Sequence, residues 1–251
     1  MKAVILIHGF CTNTKDFDNI LPYLEPLYDK VMEYIVPGHQ IPPKYSEFKV
    51  KTTFSSLVEC YDSLALDYDT IDCIGFSMGG ALATYLQSVR EINRLVLLAP
   101  ANKYLNFNIL ASRIKYKVDS FNKLVKTKHV NDVAYKQIER NLESLGEDDR
   151  AAIKLAVTEL FPHYSPRNLT TFISIINRCN KELIEINPPT LIIWGKLDQF
   201  VPRASIDYLE SLATNECKVV IRDDLSHLML RSVKYKEIIE IIVKFLKEEG
   251  N

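Results

Sequence analysis

The sequence predicts an α/β architecture: a mostly parallel central sheet flanked by helices, with a mainly helical insertion forming a cap over it. Three observations lead there. Short apolar runs of strand length alternate with stretches of helical periodicity, the pattern of buried parallel strands joined by crossover helices. One of these strands passes into a helix through the glycine-bracketed turn Gly75-Phe76-Ser77-Met78-Gly79-Gly80. A long segment without strand runs then interrupts the alternation, which afterwards resumes. With 251 residues, 47% of them hydrophobic, the chain has enough apolar material for one sizeable core.

The first strand is expected over residues 3–7, Ala-Val-Ile-Leu-Ile, where His8-Gly9 ends the run. Residues 16–27 carry the mixed pattern of a surface helix, and 31–36 read as the second strand. Apolar residues recur at helical spacing over 54–66. The third strand, over 70–75, leads into Ala81-Leu82-Ala83-Thr84-Tyr85-Leu86, which reads as helix. Further strands are expected over 94–99, 189–194 and 217–222. No internal repeat or low-complexity tract is present.

Residues 101–187 break the rhythm. They read mainly as helices, 148–160 for example, and Asn187-Pro188-Pro189 closes them, a sequence that resists helix and begins an extended strand. The expected organisation is therefore a core made of residues 1–100 and 188–251, with a cap over 101–187. Within the cap, Ile114, Tyr116 and Val118 alternate in a way that fits either a small strand or a half-buried helical turn. Its basic residues, Lys103, Arg113, Lys115, Lys117, Lys123, Lys126 and Lys128, are followed by Glu143, Glu147, Asp148 and Asp149. These charges read as solvated helix faces that offset one another, the alternative being a basic half that steers acidic lipids or carboxylated substrates.

The net charge of −1 offers nothing global to attract nucleic acid or an anionic membrane surface, so small or neutral partners are expected. The five cysteines, at 11, 60, 73, 179 and 217, are odd in number and show no close metal or redox pair. They read as reduced packing residues, which suits a cytoplasmic setting. The 3–7 run is too short for the hydrophobic region of a signal peptide, and no stretch approaches a membrane span.

The turn around Ser77 is the most specific chemical signal. A serine hydroxyl can attack a substrate only if the backbone turns sharply enough to lift it clear of the sheet, and side chains two positions either side would collide in such a turn. Gly75 and Gly79 remove that collision. Serine alone is a poor nucleophile at neutral pH, so the turn calls for a histidine base and a carboxylate to orient it. Asp198 follows the strand Thr190-Leu191-Ile192-Ile193-Trp194-Gly195, and His227 follows the strand around Lys218-Val219-Val220-Ile221. Both fall at C-terminal ends of strands, where a parallel sheet gathers its functional loops. Asp223 and Asp224 are the reserve candidates for the acid.

On these residues, together with His8-Gly9-Phe10, Pro37-Gly38-His39, Val201-Pro202 and Ser226, the whole chain resembles the α/β-hydrolase fold, in particular its small capped serine esterases and monoacylglycerol lipase-like members. The resemblance implies a catalytic triad of Ser77, Asp198 and His227. It implies an oxyanion hole made by the backbone N–H groups of Phe10 and Met78, with the side chains of Phe10, Cys11 and Met78 lining the substrate pocket. His8 reads as a structural histidine that holds its loop by hydrogen bonds, because His227 already serves as the base. One departure stands out: Gln40 occupies the place where many relatives continue Pro-Gly-His with another glycine, which puts the path of the loop over 40–50, and so substrate size, in question.

The expected activity is hydrolysis of small-molecule carboxylic esters of short to medium acyl chain, monoacylglycerol being the next choice, through an acyl-enzyme and without metal or organic cofactor. Aromatic and aliphatic residues Tyr104, Leu105, Phe107, Phe161, Tyr164 and Phe172 would form an apolar acyl site in the cap, although core packing accounts for many of them equally well. Thioester and carbon–carbon bond hydrolysis use the same triad and are the alternatives inside the fold. A non-catalytic small-molecule-binding module is the alternative outside catalysis.

Overall fold

Six apolar segments become strands of one parallel sheet in the computed structural model, which describes residues 1–103, 165–198 and 200–248. They are β1 (Lys2–Ile7), β2 (Lys30–Tyr34), β3 (Thr70–Phe76), β4 (Leu95–Leu98), β5 (Thr190–Gly195) and β6 (Cys217–Arg222). Their order across the sheet is β2-β1-β3-β4-β5-β6, with every neighbouring pair parallel. The runs Ala3–Ile7, Leu95–Leu98 and Leu191–Ile193 have essentially no exposed surface, which is why they read as unbroken apolar runs rather than alternating ones. β2 and β6 are edge strands and keep partial exposure.

The helices are α1 (Leu21–Leu24), α2 (Val50–Leu64), α3 (Met78–Val89), α4 (Pro166–Glu182), α5 (Arg203–Leu212) and α6 (Tyr235–Lys247). α2, α3 and α4 pack together, while α1 packs on α6. Ser165 caps α4, accepting a hydrogen bond from Asn168 N at 3.1 Å, and Pro166 occupies the first turn, where its missing N–H is harmless. α4 buries Phe172, Ile175, Ile176 and Cys179, a helical stripe that joins the same hydrophobic core as the sheet. α6 buries Ile238, Ile239, Ile242, Phe245 and Leu246 in the same manner.

The six expected strands are all present, each within one or two residues of its expected bounds. The surface helix expected over 16–27 is not. In its place stand a single turn, Thr14–Phe17, started by the Asn13 side chain accepting from Lys15 N, and the short α1. Proline is the reason: Pro22 has no N–H to extend a helix from upstream and instead opens a new turn, and Pro26 prevents its continuation. The helix expected over 148–160, the alternation at Ile114, Tyr116 and Val118, the basic run from Arg113 to Lys128, and Tyr104, Leu105, Phe107, Phe161 and Tyr164 all lie outside the described residues.

Strand order fixes where a site can form. The chain winds from β1 to β2 on one side, then crosses to β3 on the other side of β1 and continues outward. The connections leaving β1 and β3 therefore diverge at their C-terminal ends, and a crevice opens between them. Ser77 immediately follows β3, and the turn from His8 to Cys11 follows β1.

Candidate active site

Ser77 joins β3 to α3 with φ 55° and ψ −114°, a left-handed conformation that costs a non-glycine residue about 1–3 kcal/mol. The surrounding backbone holds it there: Ser77 N donates to Leu98 O at 2.9 Å, and its carbonyl accepts from Gly80 N and Ala101 N, each at 3.0 Å. Space is the second requirement. A Cβ on Gly75 would lie 2.4 Å from Gly79 O, and one on Gly79 would lie 1.8 Å from Ile7 O. Only glycine lets the start of α3 approach β1 and β3 this closely. The Ser77 side chain caps no helical N–H, so its hydroxyl is available elsewhere.

That hydroxyl meets His227. Ser77 Oγ lies 3.0 Å from His227 Nε2, and His227 Nδ1 lies 2.7 Å from Asp198 Oδ2. An ionised carboxylate can only accept, so Nδ1 carries the imidazole proton and Nε2 is left to accept from the serine hydroxyl. The other Asp198 oxygen accepts from Phe200 N at 2.7 Å and Val201 N at 2.9 Å, and the Asp198 side chain is fully buried. Two aromatic rings hold the imidazole in place: Phe200 is stacked on it and Phe76 tilted against it, each with centroids 4.9 Å apart. The acid and histidine loops are brought together by Gly195, where a Cβ would lie 2.0 Å from Leu225 O, and by Leu197 N donating to the same Leu225 carbonyl at 3.1 Å.

The reserve acids are occupied elsewhere. Asp223 is exposed and pairs with Lys196 at 2.8 Å. Asp224 is held by Arg222, at 3.0 and 3.1 Å, and by Lys234, and hydrogen bonds from these cations keep its carboxyl below the usual range.

The N–H groups of Phe10, in the turn after β1, and of Met78, next to Ser77 in the chain, have no hydrogen-bond acceptor among the described residues. Met78 is the first residue of α3, so its N–H points out of the positive end of the helix. The Met78 side chain is fully buried and Cys11 nearly so, whereas Phe10 keeps partial exposure. Burial pushes the Cys11 thiol up to about 12, so it stays protonated and un-nucleophilic near neutral pH. The Phe10 ring packs on Phe172 of α4, with centroids 4.8 Å apart, and on Phe48, 5.8 Å away. Phe48 comes from the loop that Gln40 enters. Gln40 Nε2 donates to Glu47 Oε2 at 3.0 Å, closing that loop so that Phe48 and Tyr45 pack edge-on against His39.

His8 stands behind the turn. Its Nε2 accepts from Val36 N at 3.1 Å, so Nδ1 must carry the proton and donate to Gly9 O, 2.8 Å away. Complete burial lowers its pKa from 6.5 to about 4. Between those two values the unfolded chain binds a proton that the folded chain refuses, so His8 contributes stability above about pH 6.5 that is lost as the pH falls toward 4. We expect this contribution to shrink by about 2 kcal/mol between about pH 7 and pH 4.5. Urea unfolding at the two pH values should show a His8→Asn variant with a correspondingly flatter pH dependence than wild type, and equal slopes would refute the assignment.

Sequence reasoning missed the buried polar support of the turn. Asp16, placed in a surface helix by its pattern, is 4% exposed and joins the residues after β1 to those after His227. Burial raises its carboxyl pKa, against the pull of Arg231, Thr12 and Gly9 N–H. The available signal was Thr12 followed at i+4 by an aspartate, which reads equally as local capping. The packing of Phe76 and Phe200 against His227 had no sequence signal beyond their adjacency to Ser77 and Asp198.

Over residues 2–230 the chain matches the family described as alpha/beta hydrolase fold. It is 25% identical over 255 residues to the pimeloyl-[acyl-carrier protein] methyl ester esterase of Neisseria meningitidis serogroup A, covering 96% of this chain and 77% of that protein. It is 22% identical over 243 residues to lipase 3 of a Moraxella species, covering 93% and 74%. Among solved structures, the esterase EaEST from Exiguobacterium antarcticum superposes with a TM-score of 0.67 at 18% identity, covering 99% of this chain and 92% of that one.

Proposed function

We propose, for a chain that belongs to the alpha/beta hydrolase fold family, a serine hydrolase that cleaves small-molecule carboxylic esters. The observation that carries this reading is the relay from Ser77 Oγ through His227 to the buried Asp198, at 3.0 and 2.7 Å, with the serine held at a left-handed φ.

The reaction follows from these contacts. His227 Nε2 takes the Ser77 proton as Oγ attacks the ester carbonyl carbon, and the carbonyl oxygen gains negative charge. The N–H groups of Phe10 and Met78 stabilise that charge, each worth about 10²–10³ in rate. Asp198 holds the imidazole in the correct tautomer and stabilises its cation. The tetrahedral intermediate collapses as His227 returns the proton to the leaving alcohol, leaving Ser77 acylated. Water, deprotonated by His227, then attacks the acyl-enzyme and releases the acid. Beyond the ester and water, each step uses groups of this chain, so the mechanism calls for no cofactor.

The apolar surround of Phe10 favours a short to medium acyl chain, with monoacylglycerol as the next substrate class, and the partial resemblance to an esterase and a lipase supports the same chemistry. Residues 101–187 serve in this reading as a cap, with α4 its root on the core. Cys11 and Met78 complete the pocket floor behind Phe10. A cytoplasmic setting is part of the reading, supported by five unpaired cysteines of which three are buried. Among the described residues, no helix is long and apolar enough to cross a membrane.

The test is a fluorophosphonate probe followed by a substrate panel. Stoichiometric labelling of wild type that vanishes in Ser77→Ala supports the reading, whereas a folded wild type that stays unlabelled identifies a binding module instead. Nitrophenyl esters of increasing acyl length, a thioester and a monoacylglycerol then rank the substrate classes. A clear preference for the thioester would overturn the carboxylic ester assignment.

A further inference from the structure

The oxyanion donor Phe10 and the base His227 sit on loops more than two hundred residues apart in sequence, yet one buried carboxylate touches the neighbours of both. Asp16 Oδ2 accepts from Gly9 N at 3.3 Å and from the Thr12 hydroxyl at 2.5 Å, so it grips the turn on either side of Phe10. The Thr12 hydroxyl also lies 3.0 Å from Gly9 O, closing that turn. Asp16 Oδ1 accepts from Arg231 Nη2 at 2.8 Å, four residues beyond His227. A second tie runs parallel to it, Asn19 Nδ2 donating to Leu230 O at 2.9 Å. The carboxylate is 3% exposed, so these bonds are little weakened by water.

We propose that Asp16 is a positioning residue that sets the oxyanion donor of Phe10 relative to His227, a role that rests on the hydrolase reading above. Asp16 never touches substrate. It acts by holding the Phe10 N–H where the oxyanion forms, so its loss should weaken binding of the transition state and leave binding of the substrate nearly unchanged. Asp16→Asn keeps the shape but replaces one accepting oxygen by a donor, so either Arg231 or the turn loses its partner.

The experiment measures kcat and KM on the best ester of the panel, together with affinity for an alkylboronic acid. In the boronate adduct the Ser77 oxygen forms a B–O bond, its proton passes to His227, and boron becomes tetrahedral and anionic, so one boron-bound oxygen occupies the position of the oxyanion. Asp16→Asn should lower kcat by about 10- to 100-fold, change KM by no more than about 2-fold, and weaken the boronate by a factor similar to the fall in kcat. Arg231→Gln should show the same signature, and the double variant should be no worse than the poorer single one, because both break one linkage. A kcat within about 2-fold of wild type, or a fall in kcat with boronate affinity unchanged, overturns the proposal. If Asp16→Asn does not fold, Thr12→Val removes one donor to the carboxylate at constant shape and must show the same split; wild-type kinetics there overturn the proposal as well. A wild type that neither takes the fluorophosphonate nor hydrolyses any ester instead overturns the hydrolase reading, so the two failures are distinct.

Discussion

Ser77→Ala should reduce kcat by about 10⁴- to 10⁶-fold while leaving the thermal midpoint close to that of wild type, because in the proposed mechanism the hydroxyl makes the bond to carbon and contributes little to the fold. His227→Ala should cost about as much, since a serine without its base is no better than a serine without its oxygen. The double variant should be little worse than either, the mark of groups that act as one unit. Asp198→Asn tests the acid, and its expected loss is about 10⁴-fold. An asparagine at 198 can present its oxygen to Phe200 N and Val201 N, but then faces His227 Nδ1–H with a second donor, which forces the wrong tautomer. Neither reserve acid is free to substitute, because Asp223 and Asp224 are engaged with Lys196, Arg222 and Lys234. A kcat within a few-fold of wild type in Asp198→Asn would end the assignment of that residue.

The second large effect is on stability. Gly79→Ala would place a methyl carbon 1.8 Å from the Ile7 carbonyl oxygen, 2.5 Å from Ile7 C and 2.6 Å from His8 O. These are backbone atoms of β1 and of the turn after it, with no side chain able to swing aside. α3 would have to move off the sheet, at a cost of about 3 kcal/mol or more, which for a chain of this size lowers the melting temperature by about 6–12 °C. Thermal and urea unfolding check the number. A Gly79→Ala variant as stable as wild type would mean that the helix and strand are not held at this separation. Activity should fall further than stability alone requires, because Gly79 lies two residues after Ser77 and the clash includes His8 O, at the start of the turn that carries Phe10.

Gly75, Ser77 and Gly79 announce their turn in the sequence because the constraint is local: a sharp strand-to-helix turn leaves room only for glycine at its flanks, and neighbouring residues report it. Strand runs such as Ala3–Ile7 and Leu191–Ile193 are equally legible, since burial on both faces forbids polar residues along the whole segment. The stretch over 16–27 departs from its expected helix for a related reason. Its apolar and polar residues fit a helical period, but Pro22 and Pro26 decide against one, and periodicity does not register a missing N–H. Asp16 falls at the start of that stretch, yet it is buried. Its partner, Arg231, lies 215 residues away, and no local pattern can carry that pairing.

By itself, the sequence determined the class of fold, the six strands, and the serine, acid and histidine that stand at the ends of three of them. Each of these is a property of one short segment, dictated by steric room in a turn or by burial on two faces. Only the tertiary structure decided which groups face one another: that Asp198 rather than Asp223 or Asp224 reaches His227, that Phe172 from α4 closes on Phe10, and that Asp16 ties the first loop to the last. Those choices depend on distances between segments far apart in the chain, which arise when the sheet assembles in the order β2-β1-β3-β4-β5-β6 and brings the strand ends to one rim.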